Sequence, residues 1–139
     1  MKKTLILISI LSLASCTNYN SIDEIDTSSN ILYCYKDYSN YEEYITIEYK
    51  DNIINYIGYS YIFNNDISNL IKELNYDNIK FIDKTLDVSF ENININNYKT
   101  IKKDLIKTLN IKKDNFNYIE KNNVNYSLFM DYISDYSCE

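Results

Sequence analysis

The stretch that decides the fold is ILYCYKDYSNYEEYITIEYKDNIINYIGYSYIF, residues 31–63. Ile31–Tyr38 alternates Ile31, Tyr33 and Tyr35 on one side with Leu32 and Cys34 on the other. Tyr44–Tyr49 sets Ile45, Ile47 and Tyr49 against Tyr44, Thr46 and Glu48, and a further run extends from Ile53 to Phe63. A period of two with β-branched and aromatic residues is typical of strands. The polar Lys-Asp-Asn triplet at 50–52 predicts a turn between the second and third runs. The segment therefore predicts three strands, the last two of which form a hairpin.

The chain contains a single glycine, and it falls inside the third of these runs, at Gly58. A glycine within a strand marks either a bulge or a close approach of another group to the backbone. Both interpretations remain open from the sequence.

Apolar stripes at helical spacing appear after the three strands and predict a first helix. Asparagine or aspartate can cap its start, and asparagine can end it. Residues 79–91 then predict one further strand, which buries one face and leaves Asp83, Asp87 and Glu91 on the other. The helical stripe consists of Ile67, Leu70, Ile71 and Leu74, the caps are Asn65 or Asp66 and Asn75, and the buried strand positions are Leu86, Val88 and Phe90.

Two more stretches predict a second and a third helix. The order β-β-β-α-β-α-α predicts an α+β domain over residues 31–139, an antiparallel sheet of about four strands with two to three helices packed on one face. The second helix carries Tyr98, Ile101, Leu105, Ile106 and Leu109 inward and Lys99, Lys102, Lys103 and Lys107 outward, and the third carries Tyr126, Phe129, Met130 and Ile133 inward.

The N-terminal segment has the form of an export signal. Two lysines precede an apolar run that ends at Leu13, too short for a membrane helix, which needs about 20 residues. The sequence Leu13-Ala14-Ser15-Cys16 resembles the lipobox of bacterial lipoproteins. The resemblance implies that residues 1–15 are a signal peptide cleaved between Ser15 and Cys16, and that Cys16 carries a diacylglyceryl group. The alternatives are an ordinary secretory signal or an uncleaved membrane helix.

A lipid anchor of this kind places the protein outside the cytoplasm, on the cell membrane or the outer membrane, because two acyl chains hold a protein stably. Residues 16–30 comprise this cysteine and a polar stretch without sustained periodicity, which predicts a flexible tether. Its acidic residues, Asp23, Glu24 and Asp26, are interpreted as part of a solvated spacer rather than a binding site.

Two cysteines remain once Cys16 is assigned to lipid. An exported domain with two thiols favours a disulfide, here between Cys34 and Cys138. The alternative is a pair of free or buried thiols.

The order of these features is similar to that of small YehR-like lipoproteins of Firmicutes. The shared pieces are the lipobox, Tyr33-Cys34 at the first strand, the charged hairpin at 50–52, and the late Tyr136-Ser137-Cys138. The likeness is one of pattern over most of the mature chain. It implies the architecture and the lipid site, and no chemistry.

The composition argues against most enzyme and nucleic-acid functions. The chain has no histidine, and no arginine occurs in its sequence, so the commonest general base and the bidentate anion-binding side chain are both missing. A net charge of −6 repels phosphate backbones. The acidic residues on strand 79–91 lie about 13 Å apart at four-residue spacing, too far for a shared ion, and the loop at 114–123 lacks the pattern of an EF-hand. The sequence predicts no enzyme, no cofactor and no metal site.

Tyrosine is the most suggestive feature. Of the 16 tyrosines, many crowd the first three strands, where exposed rings would form a platform for a glycan, a peptide or another envelope protein. The alternative is that half of them pack inward. The favoured function is a binding domain of the cell envelope, ahead of a structural or antigenic surface protein without a ligand and of an enzyme built on carboxylates and tyrosine. The predicted binding surface comprises Tyr33, Tyr35, Tyr56, Tyr59 and Tyr61.

Overall fold

The computed structural model describes residues 28–139, and its sheet is built on three long strands. These are β1 (Asn30–Asp37), β2 (Tyr41–Lys50) and β3 (Ile53–Phe63). β2 pairs antiparallel with both of its neighbours over nearly its whole length. The predicted signal peptide, the lipid site at Cys16 and the first part of the predicted tether lie outside the described residues.

The predicted strand over residues 79–91 is in fact a hairpin. It divides into β4 (Ile79–Ile82) and β5 (Thr85–Glu91), which pair antiparallel. The turn uses Asp83 in the left-handed region, at φ 55°, a conformation that short polar side chains tolerate. Apolar residues in both arms concealed this turn in the sequence.

Three short strands complete the sheet in the described part of the chain. β6 (Ile119–Glu120) pairs with β7 (Asn123–Asn125), β7 pairs with β3, and β8 (Ser137–Cys138) pairs with β1. The main order is β4-β5-β3-β2-β1-β8. The chain is thus a mixed α/β fold with an antiparallel sheet, as expected, but with eight strands rather than about four. Strands of two or three residues are too short to show a sequence period.

The three helices are α1 (Ser68–Ile71), α2 (Ile95–Leu109) and α3 (Tyr126–Tyr132). α2 begins where Asn94 accepts a hydrogen bond from the Asn97 amide, and it ends at Asn110, which is left-handed. The predicted first helix, residues 67–74, is only one turn of α-helix. The residues of the predicted apolar stripe do not share one buried face, because Ile67 and Leu74 are buried whereas Leu70 is exposed.

The sheet has an inner face that is buried and an outer face that is exposed or half-exposed. Side chains of β2, β3 and β5 alternate between the two, as the pleat requires. α2 packs on the inner face, where the Tyr98 ring meets Phe90 edge-on with the centroids 4.9 Å apart. The inner face carries Ile45, Ile47, Ile57, Tyr59, Tyr61, Leu86, Val88 and Phe90.

A β-bulge in β3 shifts the alternation, and it lies three residues before the glycine. Glu48 pairs with Tyr56 but Tyr49 pairs with Ile54, so Asn55 is the extra residue. Gly58 instead marks a close approach, because a Cβ there would lie 2.7 Å from the Tyr56 hydroxyl. Of the two interpretations of this glycine, the close approach is therefore correct.

One lysine of α2 that was expected to face solvent is buried. Lys102 is only 2% exposed. Its Nζ donates to the Tyr61 hydroxyl at 2.9 Å and lies 3.8 Å from the centroid of the Tyr59 ring. A cation next to the buried stripe can face inward when a ring and an oxygen replace part of its hydration. Burial lowers the pKa of this lysine, while Glu43 and Asp114 act in the opposite direction.

The predicted disulfide between Cys34 and Cys138 is present. It joins β1 to β8, where the two cysteines are directly paired residues. The backbones of Tyr33 and Glu139 exchange two hydrogen bonds of 2.9 Å next to it. The bond therefore fixes the C-terminus of the chain to an edge of the sheet.

Loss of this disulfide should destabilise the fold strongly. The cysteines are 104 residues apart, and closing a loop of that length stabilises a domain by about 4–5 kcal/mol in the chain-entropy model. We expect the Cys34→Ser/Cys138→Ser variant to unfold at a clearly lower urea concentration, followed by circular dichroism. Adding reductant should lower the wild-type midpoint and leave that of the variant unchanged. Equal midpoints for both proteins would contradict the prediction.

Candidate functional site

The outer face of the sheet carries a row of small side chains at its centre. Thr46 pairs with Gly58, and Gly58 pairs with Ser89 on the next strand. Tyr33 stands at the β1 end of the same row, opposite Thr46. Side chains this short leave a depression between the larger residues of the adjacent rows.

Larger residues occupy the two flanking rows. On one side, Tyr35, Tyr44, Ser60, Asp87 and Lys80 follow one another across five strands. The rings of Tyr35 and Tyr44 are 4.9 Å apart between centroids. The row thus begins with two aromatic rings and ends with a carboxylate and an ammonium group.

On the other side, Glu48, Tyr56 and Glu91 are direct cross-strand neighbours. The Tyr56 ring lies over Gly58: the ideal Cβ position there is 2.7 Å from the Tyr56 hydroxyl oxygen and 3.2 Å from the carbon that bears it. The ring therefore lies along the sheet rather than standing away from it. Any residue larger than glycine at position 58 would push the ring out of this place.

Three depressions open on this surface. The largest, about 480 Å³, lies between Tyr44 and Tyr56 over the small residues. A second, about 450 Å³, lies on the other side of Tyr56, between Glu48 and Glu91. A third, about 330 Å³, lies along the β1–β8 edge next to the disulfide, where Tyr33 forms part of its wall. Tyr56 is shared by the first two, which makes it the central aromatic residue of the surface.

Three of the five tyrosines of the predicted binding surface are exposed or half-exposed. Tyr33 is 56% exposed, and Tyr35 and Tyr56 are half-exposed. Tyr59 and Tyr61 are a correction: they are 2% and 0% exposed because they share the inward direction of Ile57.

Tyr44, at 41% exposure, belongs to the surface and was missing from the prediction. Its position opposite Ile45 and Ile47 in the alternation of residues 44–49 is the signal that could have found it.

The electrostatic environment of the outer face is negative. Burial raises the pKa of Tyr56, and the carboxylates of Glu48, Glu91 and Asp87 raise it further. The pKa of Tyr44 is raised chiefly by its hydrogen bond to Glu42, in which the hydroxyl donates at 3.0 Å. A site of this kind favours cations and hydrogen-bond donors over anions.

The three carboxylates assigned to one strand face are separated by the hairpin. Asp87 and Glu91 are exposed on the outer face of β5, whereas Asp83 lies in the turn before it. Within residues 28–139, no group of three or more histidine, cysteine or carboxylate side chains is placed to hold a metal ion.

A second polar cluster lies inside the core, away from the outer face. The hydroxyls of Tyr59 and Tyr98 are 2.6 Å apart, those of Tyr98 and Tyr118 are 2.8 Å apart, and Tyr118 donates to the Asp114 carboxylate at 2.5 Å. Every buried polar side-chain atom in the described residues has a hydrogen-bond partner. The buried hydroxyls of this cluster are therefore hydrogen-bonded to one another and to Asp114.

Glu43 belongs to the buried polar groups of the inner face as well. It is 3% exposed, and its carboxylate accepts a hydrogen bond of 2.5 Å from the Tyr136 hydroxyl. Tyr136 in turn lies 2.7 Å from the Tyr38 hydroxyl. The hydrogen bond between Glu43 and Tyr136 links β2 to the segment just before the disulfide.

The buried tyrosines should make the fold sensitive to alkali. Burial raises the pKa of Tyr38 to about 12 and that of Tyr98 higher still, and a hydrogen bond to Tyr49 together with burial raises that of Tyr126 to about 12. In the unfolded chain these groups ionise near pH 10. Above pH 10 the folded state holds more protons, so its free energy of unfolding is intact below pH 10 and falls as the pH rises towards 12 and beyond.

We expect most of the tyrosinate absorbance to appear together with the loss of the circular dichroism signal. The chain has no tryptophan, so the near-ultraviolet spectrum reports tyrosine without interference. In urea, the same protein should titrate smoothly near pH 10. A complete titration near pH 10 in the absence of urea, with the fold retained, would show that the core tyrosines are not protected.

The described helices do not include a membrane span: none within residues 28–139 is long and apolar enough to cross a bilayer. Comparison with known proteins finds no family model, no curated protein and no solved structure that this chain matches. The function is therefore inferred from the sequence and from the geometry of the outer face.

Proposed function

We propose that the protein is a lipid-anchored extracytoplasmic lipoprotein whose single domain binds another component of the cell envelope. The observation that carries the binding role is the outer face, where Tyr44 and Tyr56 border a depression of about 480 Å³ and Tyr33 and Tyr35 line a neighbouring one of about 330 Å³. Aromatic rings with a polar atom at one end are enriched at binding surfaces because they supply contact area at low entropic cost.

The anchor is proposed on the lipobox at residues 13–16. Cys16 carries the diacylglyceryl group, and the polar segment from Thr17 to the start of β1 at Asn30 acts as the tether. As a random coil, about fourteen residues reach roughly 20 Å. That distance lets the domain stand clear of the lipid headgroups with its outer face accessible.

An anchored lipoprotein should lose its membrane association when Cys16 is replaced. In cells fed with labelled palmitate, we expect the wild-type protein to carry label and to sediment with membranes. The Cys16→Ala variant should carry no label and leave the membrane fraction. The matched control is Cys138→Ser, which removes a cysteine without touching the lipobox and should keep the label. Labelled Cys16→Ala protein would refute the anchor.

An enzymatic role is not favoured by the arrangement of titratable groups. Burial raises the pKa of both Tyr59 and Tyr98, and their hydroxyls are hydrogen-bonded to each other inside the core. The groups that border the outer depression are exposed or half-exposed carboxylates, hydroxyls and one lysine. They suit recognition by hydrogen bonds and charge, which is what a binding domain requires.

The binding role predicts that capture depends on the outer tyrosines. The full-length protein, solubilised in a nonionic detergent, is immobilised and incubated with envelope extract of its own host. Wild type and the control Leu70→Ser, which changes an exposed apolar residue on α1, should retain the same component. Tyr44→Ser/Tyr56→Ser should retain far less of it while keeping its circular dichroism spectrum. Equal capture by all three proteins, or no specific capture, would instead favour a structural or antigenic protein without a ligand.

A further inference from the structure

The charges of this domain are segregated between its two sides. The outer face carries five carboxylates against two lysines. On the opposite side, the exposed and half-exposed lysines of α2 and of the loop after it form a basic surface. The outer carboxylates are Asp37, Glu42, Glu48, Asp87 and Glu91, the outer lysines are Lys50 and Lys80, and the basic side carries Lys99, Lys103, Lys107 and Lys113.

The acidic side is also the aromatic side. Tyr56 lies between Glu48 and Glu91 in one cross-strand row, so each carboxylate is the direct neighbour of the ring. Neighbouring strands are about 4.8 Å apart, which brings both carboxylates within reach of a cation placed on the ring. Because Gly58 has no Cβ, the hydroxyl end of the Tyr56 ring reaches over it, and the Tyr56 side chain stays half-exposed to solvent.

An ammonium or guanidinium group is attracted to the face of an aromatic ring, and the attraction adds to its pairing with carboxylates. An anion would be repelled by the two carboxylates of this row, and a neutral apolar segment would contact the ring without any pairing to the carboxylates. The depressions of about 480 and 450 Å³ on the two sides of Tyr56 give room for the neighbouring residues of an extended chain. Complementarity of charge thus selects a basic polypeptide as the occupant.

We propose that the outer face docks a lysine- or arginine-rich segment of another envelope protein, with one cationic side chain seated on the Tyr56 ring between Glu48 and Glu91. This rests on the proposed binding function and names the chemistry of the partner. Tyr44, whose hydroxyl is bonded to Glu42, borders the adjoining depression and contacts the next part of the segment.

The test measures binding of a short oligolysine peptide to the full-length protein in nonionic detergent by titration calorimetry, with oligoglutamate as the control peptide. We expect oligolysine to bind, oligoglutamate not to bind, and the affinity to weaken steeply as salt screens the charges. Glu48→Gln/Glu91→Gln should weaken binding about tenfold. Glu73→Gln/Asp131→Asn makes the same change of net charge at exposed positions away from the outer face and should change the affinity by less than about twofold.

Two further variants test the ring itself. Tyr56→Leu keeps apolar bulk but removes the aromatic face, and should weaken binding by about two- to fivefold. Gly58→Ala keeps every charge and the aromatic residue itself but displaces the Tyr56 ring, and should weaken binding by a similar factor. If both variants bind oligolysine as tightly as the wild type does, the proposed position of the cationic side chain on the Tyr56 ring is wrong.

The remaining outcomes separate the alternatives. Equal weakening by the two charge-matched double variants would mean that oligolysine responds only to net charge, and would overturn the proposal. Binding of a neutral oligosaccharide without binding of oligolysine would assign the face to a glycan.

If the protein forms dimers in sedimentation experiments and Glu48→Gln/Glu91→Gln abolishes them, the outer face would be assigned to a second copy of the chain. Tyrosine-dependent capture from the envelope extract without oligolysine binding would refute only the basic partner and leave the proposed function standing.

Discussion

The hydroxyl group of Tyr98 is the contact on which the arrangement of the domain depends. It lies 2.6 Å from the hydroxyl of Tyr59 on the sheet and 2.8 Å from that of Tyr118, which donates to Asp114. One hydrogen-bonded chain thus connects β3, α2 and the segment before β6. Buried hydroxyls without partners would cost about 1–3 kcal/mol each, so the helix is held at the position where its tyrosine completes the chain. Apolar packing alone would permit α2 to slide along the sheet.

This constraint follows from a core that contains many tyrosines and no tryptophan. Tyrosine brings as much apolar area as phenylalanine, but each buried ring also brings a hydroxyl that must be bonded. The fold meets this need with other tyrosines and with Glu43, Lys102 and Asp114, so carboxylates and a lysine are drawn into the interior. The result is a core in which every buried polar side-chain atom of the described residues has a hydrogen-bond partner. In such a core the position of each side chain matters more than its hydrophobicity.

Because helix α2 and its lysines occupy one side, the acidic strand residues are left on the other. The same residue type then serves two purposes: Tyr59 and Tyr61 build the core, and Tyr44 and Tyr56 line the outer face. The single glycine, Gly58, lies on the outer face directly beside the ring of Tyr56. The disulfide at the β1–β8 edge fixes the remaining border of this surface. Packing inside therefore determines which tyrosines are available outside.

The sequence by itself determined the three long strands, α2, the antiparallel mixed fold and the disulfide pair. The strands and the helix show a local period of apolar residues, and the cysteines can be counted. The sequence placed Tyr33, Tyr35 and Tyr56 in the candidate site together with Tyr59 and Tyr61. The last two lie at odd spacing from Tyr56 in a regular part of β3, so the alternation puts them on the buried face. The tertiary structure alone decided the turn at Asp83, the two- and three-residue strands and the inward position of Lys102. The positions of β7, β8 and Lys102 depend on contacts between residues far apart in the chain, where pairing with a distant strand or with the ring of Tyr59 outweighs the local preference. The turn at Asp83 joins adjacent strands, but the apolar residues of both arms gave no local sign of it.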